Sequence, residues 1–331
     1  MIDFNTKRRG FMLAAVAGAA TLAMPSMPAF AQGFPKGNIT LLVGFSAGGL
    51  TDTVARLVGQ VMQERLGVPV IVVNKPGAAG GLALRELAAA NPNGQTVMVS
   101  SVGQIAVLPH TSKEIDIDPR TEIAHVSLIG EGDFVFTVHS SLPIHTVDEL
   151  KAYLAENPGS LLYGTSGAGG NLHLATELFL KLGGLEMEGI HYPGSSTLMP
   201  DLLNGQIQFA INVYPAVAQY INEGTLRPIL VTGRERIAAL PDVAAATEVG
   251  MDRLAECRNW FGLHAPLGTP PEVIATLNEA VKAATESEQL IERLTSAGLT
   301  PRSTTPEEFT ELVVRDYALF GEVTQQAGLA Q

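Results

Sequence analysis

The strongest constraint on the fold is an alternation of short apolar runs with segments of helical period. The run at residues 39–43 precedes a segment whose apolar side chains recur every three or four residues, and further runs follow at 70–73 and 96–100. Strand–helix–strand order places successive strands parallel in one sheet, with helices on both faces. We therefore expect an α/β fold built on mainly parallel sheets flanked by helices.

A second set of strands and helices follows the first set along the chain. Its strands are predicted at residues 134–138, 161–164, 189–191, 209–213 and 228–231, and another strand at 260–265 precedes a helical C-terminal region. Two such units predict two lobes with a ligand cleft between them. We expect residues 32–131 and 262–331 to form lobe 1, and residues 132–261 to form lobe 2.

The first 31 residues have the three parts of a secretory signal peptide. A basic start at residues 7–9 precedes an apolar stretch at 11–24 that is too short to span a bilayer, and Ala-Phe-Ala at 29–31 fits a signal-peptidase site. We expect cleavage after Ala31 and a periplasmic location. The arginine pair also fits twin-arginine export, so the Sec and Tat routes both stay open.

Charge and residue usage exclude several classes of function. The chain has 21 basic and 33 acidic side chains, a formal net charge of −12, which argues against binding to nucleic acid or anionic membrane. Its seven histidines show no metal-ligand spacing, so we expect no metal or cofactor. Cys257 is the only cysteine, and we interpret it as a small buried apolar residue rather than as a nucleophile.

Three glycine- and serine-rich loops follow predicted strands and open predicted helices, at residues 45–51, 165–171 and 193–197. In such folds ligands bind at the carboxyl ends of strands, where helix N-termini offer free N–H groups and a partial positive charge. Each loop alone also fits an ordinary connecting turn. Together they predict a cradle for a carboxylate or phosphate that needs no basic side chain.

These loops lack the signatures of nucleotide and serine-hydrolase sites. Residues 44–49 do not have GxGxxG spacing, no GKS or GKT occurs, and no loop provides GxSxG. A hydrolase or isomerase that uses Ser166 and His173 remains an alternative. A histidine in the first turn of a helix, however, more often makes a structural hydrogen bond. We therefore expect no catalytic residue.

Seven motifs stand in order along the chain, at residues 48–52 with Ala55 and Arg56, 73–78, 163–167 with His173 and Leu174, 201–207, 240–243, 260–263 and 265–270. In their order and spacing they resemble the Bug family, also called TctC-like, of solute-binding proteins for tripartite tricarboxylate transporters. The likeness runs from about residue 34 to 327. The resemblance implies a two-lobed periplasmic-binding-protein (Venus-flytrap) fold that closes on a small carboxylate. Backbone amides, hydroxyl groups and water would hold that carboxylate.

The resemblance also implies partners and ligand contacts. We expect a monomer that binds a small organic carboxylate and delivers it to the membrane permease subunits of a tripartite tricarboxylate transporter. A ligand-presenting sensor for a receptor ectodomain is the alternative. The expected ligand contacts are Phe45, Ser46, Ala47, Gly48, Gly49, Thr51, Asp52, Ser101 and Gly103 in lobe 1, and Thr165, Ser166, Ala168, Gly169, His173, Tyr192, Gly194 and Asn212 in lobe 2.

The chain departs from the family pattern at positions that bear on the ligand. Asn212 stands where the family commonly has Asp, and residues 193–195 read Pro-Gly-Ser where the family has Lys-Gly-Gly. Loss of the Asp removes a partner for an ammonium group. We therefore expect a ligand without an amino group: a dicarboxylate, a hydroxy acid or an aromatic acid. Tyr192 and Tyr214 could stack on an aromatic acid or pack in the core.

Overall fold

The computed structural model describes residues 33–113, 115–166, 168–192, 195–326 and 328–330. The predicted signal peptide and Gly194 lie outside these residues. The region Phe34–Gln331 forms one compact unit that contains two β-sheets. Among the described residues, no helix combines the length and the apolar character needed to cross a bilayer.

The two sheets are built from strands of different parts of the chain. The strands of the first sheet are β1 (Ile39–Val43), β2 (Val70–Asn74), β3 (Thr96–Ser101), β4 (Ile123–Gly132), β10 (Asn259–Pro266) and β11 (Thr300–Pro301). Those of the second sheet are β5 (Phe134–His139), β6 (Leu162–Ser166), β7 (Glu188–Tyr192), β8 (Phe209–Val213) and β9 (Leu226–Val231). Their spatial orders are β11-β4-β10-β3-β1-β2 and β7-β6-β8-β5-β9.

Both sheets are mixed. Strand β1 pairs parallel with β2 and β3, whereas β10 pairs antiparallel with β3 and β4. In the second sheet β6 pairs parallel with β7 and β8, whereas β5 is antiparallel to β8 and β9. The predicted α/β fold is confirmed: β1 to β4 run in one direction in the first sheet, and β6 to β9 run in one direction in the second. The antiparallel pairs arise because β10 and β11 in the first sheet, and β5 in the second, run opposite to these strands.

Helices cover both sheets. They are α1 (Leu50–Leu66), α2 (Gly81–Ala88), α3 (Leu108–Thr111), α4 (Pro119–Glu122), α5 (Val147–Glu156), α6 (Asn171–Gly183), α7 (Ser195–Leu203), α8 (Tyr214–Asn222), α9 (Pro271–Thr285), α10 (Glu288–Ser296) and α11 (Pro306–Gln326). A π-helical turn, Gly103–Val107, connects β3 to α3. Helix α9 packs against α1 and β4, and α11 packs against β4 and also against α6. The C-terminal helices therefore cover the first sheet, and α11 extends to the second lobe.

The alternating side chains of β1 show why the first sheet needs cover on both faces. Ile39, Leu41 and Val43 are buried in one hydrophobic cluster with residues of α1, α9 and α10. Leu42 points to the opposite face and joins the cluster that includes α2 and α11. Burying both faces of a strand removes most of its apolar surface from water, and each Å² of apolar surface removed stabilises the fold by about 25 cal/mol.

A buried chain of polar side chains crosses the first sheet. The Ser100 hydroxyl lies 2.7 Å from His264 Nε2, and His264 Nδ1 lies 2.9 Å from His125 Nδ1. The three residues belong to β3, β10 and β4, so the chain joins three neighbouring strands. Burial lowers the pKa of His125 to about 4 and lowers that of His264 as well, so both rings are neutral at physiological pH.

The chain passes from the first sheet to the second through one residue and returns through the longer segment 232–258, and a cluster of ion pairs lies where the two crossings meet. Asp133 links β4 to β5, while Cys257 and Arg258 precede β10. The Arg258 guanidinium lies 2.9 Å from both Glu131 Oε1 and Asp133 Oδ1. Cys257 is fully buried, and burial raises the pKa of its thiol. The predicted lobe boundaries at residues 131/132 and 261/262 stay a prediction.

Candidate ligand-binding site

The loop after β1 connects that strand to helix α1. Its residues Ser46 to Gly49 are exposed, Phe45 is half-buried, and Thr51 and Asp52 are buried in the first turn of the helix. Gly49 is the N-cap residue, and it makes no side-chain capping bond. The N–H groups of the first turn have no intrahelical acceptor, so they are available to an anion.

The carboxylate of Asp52 accepts hydrogen bonds from the protein and is not free to contact a ligand. Its Oδ2 accepts hydrogen bonds from Gly48 N–H at 2.8 Å and Arg56 Nε at 2.9 Å, and its Oδ1 accepts one from Asn74 Nδ2 at 2.9 Å. Burial by itself would raise the pKa of Asp52, but these bonds outweigh it and lower the pKa to about 2. Asn74 Nδ2 also donates to Phe45 O at 2.9 Å. The Gly48 amide is therefore already engaged, and Asp52 with Asn74 shapes the loop.

Gln104 holds the loops after β2 and β3 together. Its Oε1 accepts from Ser101 N–H at 3.3 Å, and its Nε2 donates to Gly80 O at 3.2 Å. A β-carbon on Gly44 would lie 2.2 Å from Gln104 Nε2 and 2.8 Å from Gly80 Cα. Only glycine fits there, so all three loops at this edge of the first sheet pack against one another.

The loop after β2 has an unusual backbone that this packing supports. Ala78 and Ala79 have φ values of 48° and 51°, which place two successive non-glycine residues in the left-handed region. Such a conformation costs of order 1–3 kcal/mol per residue and persists only where the surroundings hold it. Gly80, at the end of this stretch, accepts the hydrogen bond from Gln104. Fixed loop geometry is typical of a site that must present backbone groups accurately.

In the second lobe, the loop between β6 and α6 is held by His173. This side chain is 4% exposed, and its Nδ1 accepts a hydrogen bond from Gly169 N–H at 2.9 Å. Its Nε2 lies 3.6 Å from Glu177 Oε1, and the Tyr163 hydroxyl donates to that same oxygen. Both ring nitrogens therefore face protein groups, so the structure gives His173 no free nitrogen for a ligand.

Other predicted residues of this lobe lie around the same strand ends. Thr165 is fully buried, and its Oγ1 lies 3.1 Å from His191 Nδ1. Ser166 ends β6, Ala168 is exposed and Gly169 is half-buried. The Tyr192 hydroxyl donates to Asp201 Oδ2 at 2.7 Å, and burial together with this bond raises the pKa of Tyr192 to about 12.

Asn212 is the most informative predicted contact. It lies near the end of β8, directly before Val213, the N-cap residue of α8. Its side chain is 2% exposed, and among the described residues its Nδ2 has no hydrogen-bond partner. Because β6 and β8 are parallel neighbours, Asn212 lies at the same edge of the sheet as the loop that His173 holds.

The two lobes meet at the segments that follow β3 and β6. A β-carbon on Gly103 would lie 3.8 Å from Ser101 Oγ and 3.9 Å from Asn171 Oδ1 of the second lobe. A β-carbon on Gly169 would lie 3.4 Å from Thr111 Cβ of the first lobe. The structure thus brings Ser101 and Gly103 close to the start of α6, as a shared cleft requires.

The helices that open at this cleft lack side-chain caps. The N-cap residues of α1, α6 and α8 are Gly49, Gly170 and Val213, and none makes a side-chain capping bond. Elsewhere the hydroxyl groups of Thr146 and Ser287 cap α5 and α10, although α9, with Pro270 as its N-cap residue, also has no side-chain cap. The missing caps leave first-turn N–H groups available at the cleft, an arrangement that favours anions.

A separate cavity of about 970 Å³ lies at the connections between the sheets, not at these loops. It is lined by charged side chains, including Glu131, Asp133, Arg258 and Arg302. These groups pair with one another, because Arg302 Nη1 lies 2.8 Å from Glu131 Oε1 and Arg258 contacts both carboxylates. We therefore do not assign the ligand to this cavity.

Sequence reasoning did not identify Asn74, Gln104 or Arg56 as residues of the site. Asn74 belongs to the motif at 73–78, and Arg56 accompanies the motif at 48–52, so their positions were marked but their roles were not. Gln104 carries no local signal, because it acts on Gly80, which is remote in sequence. They support the loops that would contact a ligand.

Comparisons with known proteins give matches over most of this chain. A family model described as "Tripartite tricarboxylate transporter family receptor" (TctC) matches residues 54–329. Protein BugT of Bordetella pertussis is 30% identical over 302 residues, which cover 91% of this chain and 92% of BugT.

Two solved structures share the whole fold. Rpa4515 of R. palustris, solved with adipate, is 30% identical with a TM-score of 0.78 and covers 90% of this chain and 99% of its own. MatC (Rpa3494) from Rhodopseudomonas palustris, with bound malate, is 28% identical with a TM-score of 0.74 and covers 88% and 99%. The family resemblance seen in the sequence and the two-lobed fold are confirmed. The chain belongs to the TctC, or Bug, family of periplasmic solute-binding receptors.

Proposed function

We propose that this protein captures a small organic acid without an amino group between its lobes and delivers it to a membrane transporter. The acid is a dicarboxylate, a hydroxy acid or an aromatic acid. The single observation that carries the choice is the buried Asn212 Nδ2, which has no hydrogen-bond partner in the part of the chain that the structure describes. The adipate and malate bound to the two structural relatives belong to the first two of these classes.

Asn212 favours a ligand oxygen over a ligand ammonium. A buried N–H group without an acceptor costs about 1–3 kcal/mol, and a carboxylate or hydroxyl oxygen would recover that cost. An ammonium group has only hydrogens to offer, so it would leave Nδ2 unpaired and would meet only the amide oxygen. Asp in this position would reverse the preference, because it offers two acceptors and a negative charge.

The uncapped helix starts supply the rest of the binding. First-turn N–H groups of α1 come from one lobe, and those of α6 and α8 come from the other. An acid with two anionic or polar ends can bridge both lobes, and this bridging favours the closed form. No arginine or lysine is needed to neutralise the ligand.

Capture and release, rather than catalysis, is the activity that we propose. His173 is the residue that a hydrolase or isomerase mechanism would use as a base. Its Nδ1 accepts from Gly169 N–H and its Nε2 faces Glu177, so neither nitrogen is directed to a substrate. We also propose that the protein is exported with cleavage after Ala31 and that its partners are the permease subunits of a tripartite transporter.

A thermal-shift panel tests the ligand class. Adipate, malate, benzoate, aspartate and glutamate are each added to the mature protein, and a ligand at one hundred times its Kd should stabilise it by about 2.7 kcal/mol. We expect acids without an amino group to raise the melting temperature, and Asn212→Asp to abolish that rise. Asn204→Asp, at an exposed position of the same lobe, adds the same charge and should bind as the wild type does. Selective stabilisation by aspartate or glutamate would contradict the proposal.

A further inference from the structure

The two lobes also meet beside the crossing between the sheets, at Gly298 of the first lobe and Pro215 of the second. A β-carbon on Gly298 would lie 2.5 Å from Pro215 Cδ and 2.9 Å from Pro215 Cγ. We propose that Gly298 is a positioning residue for ligand capture: because it has no side chain, the lobes can close until the start of α8 reaches the ligand. This role rests on the proposed function, in which capture needs both lobes.

Gly298 ends helix α10 in a Schellman motif, which explains the glycine but not the lack of space around it. Its N–H donates to Thr295 O at 2.9 Å, and Leu299 N–H donates to Leu294 O at 2.8 Å. Its φ of 71° lies in the left-handed region that this motif needs. Gly67 ends α1 with a similar φ of 69°, but nothing lies within 4 Å of its β-carbon position. The backbone conformation alone therefore accounts for Gly67, whereas Gly298 also faces the second lobe.

Neither partner of this contact can move aside within its own lobe. The Cγ and Cδ atoms of Pro215 belong to a ring closed on the backbone nitrogen, so no other rotamer clears the space. In the first lobe, β11 pairs with β4 from the second residue after Gly298, and a β-carbon on Gly132 would lie 2.5 Å from Gly298 O. The turn is thus packed directly on β4. Carbon atoms in contact lie about 3.5–4.0 Å apart, so a side chain at 298 would require the lobes to separate by about 1 Å here.

The contact lies close both to the ligand site and to the crossing between the sheets. Pro215 is the second residue of α8 and follows Asn212, the residue that the proposed function assigns to the ligand, by three positions. Val213 pairs with Phe134, the residue directly after the crossing at Asp133. The lobes turn about this crossing, so a small shift beside it grows with distance across the cleft. Asn212 and the first-turn N–H groups of α8 would then stand farther from the first lobe.

The glycines at the other contacts between the lobes leave more room. A β-carbon on Gly103 would make contacts of 3.8 and 3.9 Å, and one on Gly169 would lie 3.4 Å from Thr111 Cβ. These are ordinary van der Waals separations. Of the three glycines, Gly298 is therefore the one at which a side chain would keep the lobes apart.

Calorimetry of adipate and malate binding to the mature chain tests this role. Gly298→Ala should bind about tenfold more weakly than the wild type, a loss within the range expected for an overpacked contact. Gly67→Ala is the matched control, because it puts alanine in the same backbone conformation of the same lobe without a contact, and it should bind as the wild type does. Equal or tighter binding by Gly298→Ala, or an equal loss in Gly67→Ala, would overturn the inference. Failure of Gly298→Ala to fold would also overturn it, because separation of the lobes would relieve the overlap without unfolding either lobe.

A second substitution assigns the loss to the contact with Pro215. Pro215→Ala keeps the β-carbon but removes Cγ and Cδ, the two atoms that a side chain at 298 would overlap. In this background Gly298→Ala should weaken binding by less than about threefold, compared with about tenfold in the wild-type background. A tenfold loss in both backgrounds would mean that the effect does not come from the contact between the lobes, and the inference would be wrong.

Disulfide formation measures closure without a ligand. The β-carbon position of Gly169 lies 3.4 Å from Thr111 Cβ, near the separation of about 3.5–4.5 Å found in disulfides. With the pair Thr111→Cys and Gly169→Cys, oxidation should be about tenfold slower when Gly298→Ala is added than with Gly67→Ala or with no further change. Cys257 is fully buried and does not compete.

Equal oxidation rates, or no disulfide in the otherwise wild-type chain, would refute the role of Gly298. If neither acid bound the wild type, the proposed function would fail, and the oxidation rates would still decide whether Gly298 allows the lobes to close.

Discussion

Replacing Asp52 by Asn would test whether a charged carboxylate shapes the first ligand loop. Asp52 is 2% exposed and accepts hydrogen bonds from Gly48 N–H, Arg56 and Asn74. Asn has nearly the same size but lacks the charge, and its NH2 group would face donors. The substitution therefore removes the charged hydrogen bonds and leaves the packing almost unchanged.

The expected loss follows from the pKa of Asp52, which falls from an ordinary 3.8 to about 2. Each tenfold change in proton affinity is worth about 1.4 kcal/mol, so this fall corresponds to about 2.5 kcal/mol of unfolding free energy at neutral pH. The Arg56 side chain is 52% exposed, and solvent screens its share. We therefore expect a loss of about 2 kcal/mol.

The sign of the pH dependence follows from the same values. The folded-state pKa lies below the unfolded one, so the stabilisation is complete well above pH 3.8 and is lost as the pH falls through about 2. The difference between wild type and Asp52→Asn should therefore shrink to about half its neutral value near about pH 3.

Urea unfolding followed by fluorescence measures this difference. Trp260 is the only tryptophan of the chain, is buried in β10 and reports on the same sheet that carries the Asp52 loop. Asp252→Asn is the matched control, because it removes the same charge from an exposed position. A loss as large in the control, or a difference that stays the same at about pH 7 and about pH 3, would refute the reasoning.

Two further predictions concern the first lobe. Gly44→Ala should lower the unfolding free energy by about 1–3 kcal/mol, because the added β-carbon would overlap Gln104 and Gly80. In the control Gly49→Ala the β-carbon would make only an ordinary contact of 3.5 Å with Ser46 O, and thermal unfolding of both variants checks the difference. Burial keeps His125 neutral, with its pKa lowered from 6.5 to about 4. As the pH is lowered from about 6 to about 4, the unfolding free energy of the wild type should therefore fall more steeply than that of His125→Asn, by up to about 1.4 kcal/mol per pH unit. Urea unfolding measures both, and parallel plots of unfolding free energy against pH would contradict this expectation.

The local parts of the fold were predictable from sequence, and the order of the strands was not. The bounds of β1 and β8 match the predicted runs, because Gly, Asn or polar turns flank each apolar segment. Strand β4, Ile123–Gly132, was not predicted: it lies between β10 and β11, is buried along most of its length and so lacks a simple alternation. The pairing of β10 with β3 joins residues far apart in sequence, which no local pattern reveals.

The candidate site was predictable in its backbone and less so in its side chains. Glycine-rich turns after strands identify where loops and helix starts lie, which is why residues 45–52 and 165–171 were found. Sequence does not reveal which backbone amides already donate hydrogen bonds within the protein. The amides of Gly48 and Gly169 are examples, because each donates to a side chain four residues later in the chain. Asn212 needed the structure to show that its Nδ2 is buried without a partner among the described residues.

The buried position of Cys257 has a practical consequence. This thiol is fully shielded in the segment that leads back to β10, next to Arg258, and the chain contains no second cysteine. A thiol reagent can reach this sulfur only when the segment opens, and it would then label the protein at Cys257 alone. The rate of labelling would thus depend on how often that segment exposes the thiol, and a change in the rate on adding an acid would report an effect of the acid on that exposure without any engineered probe.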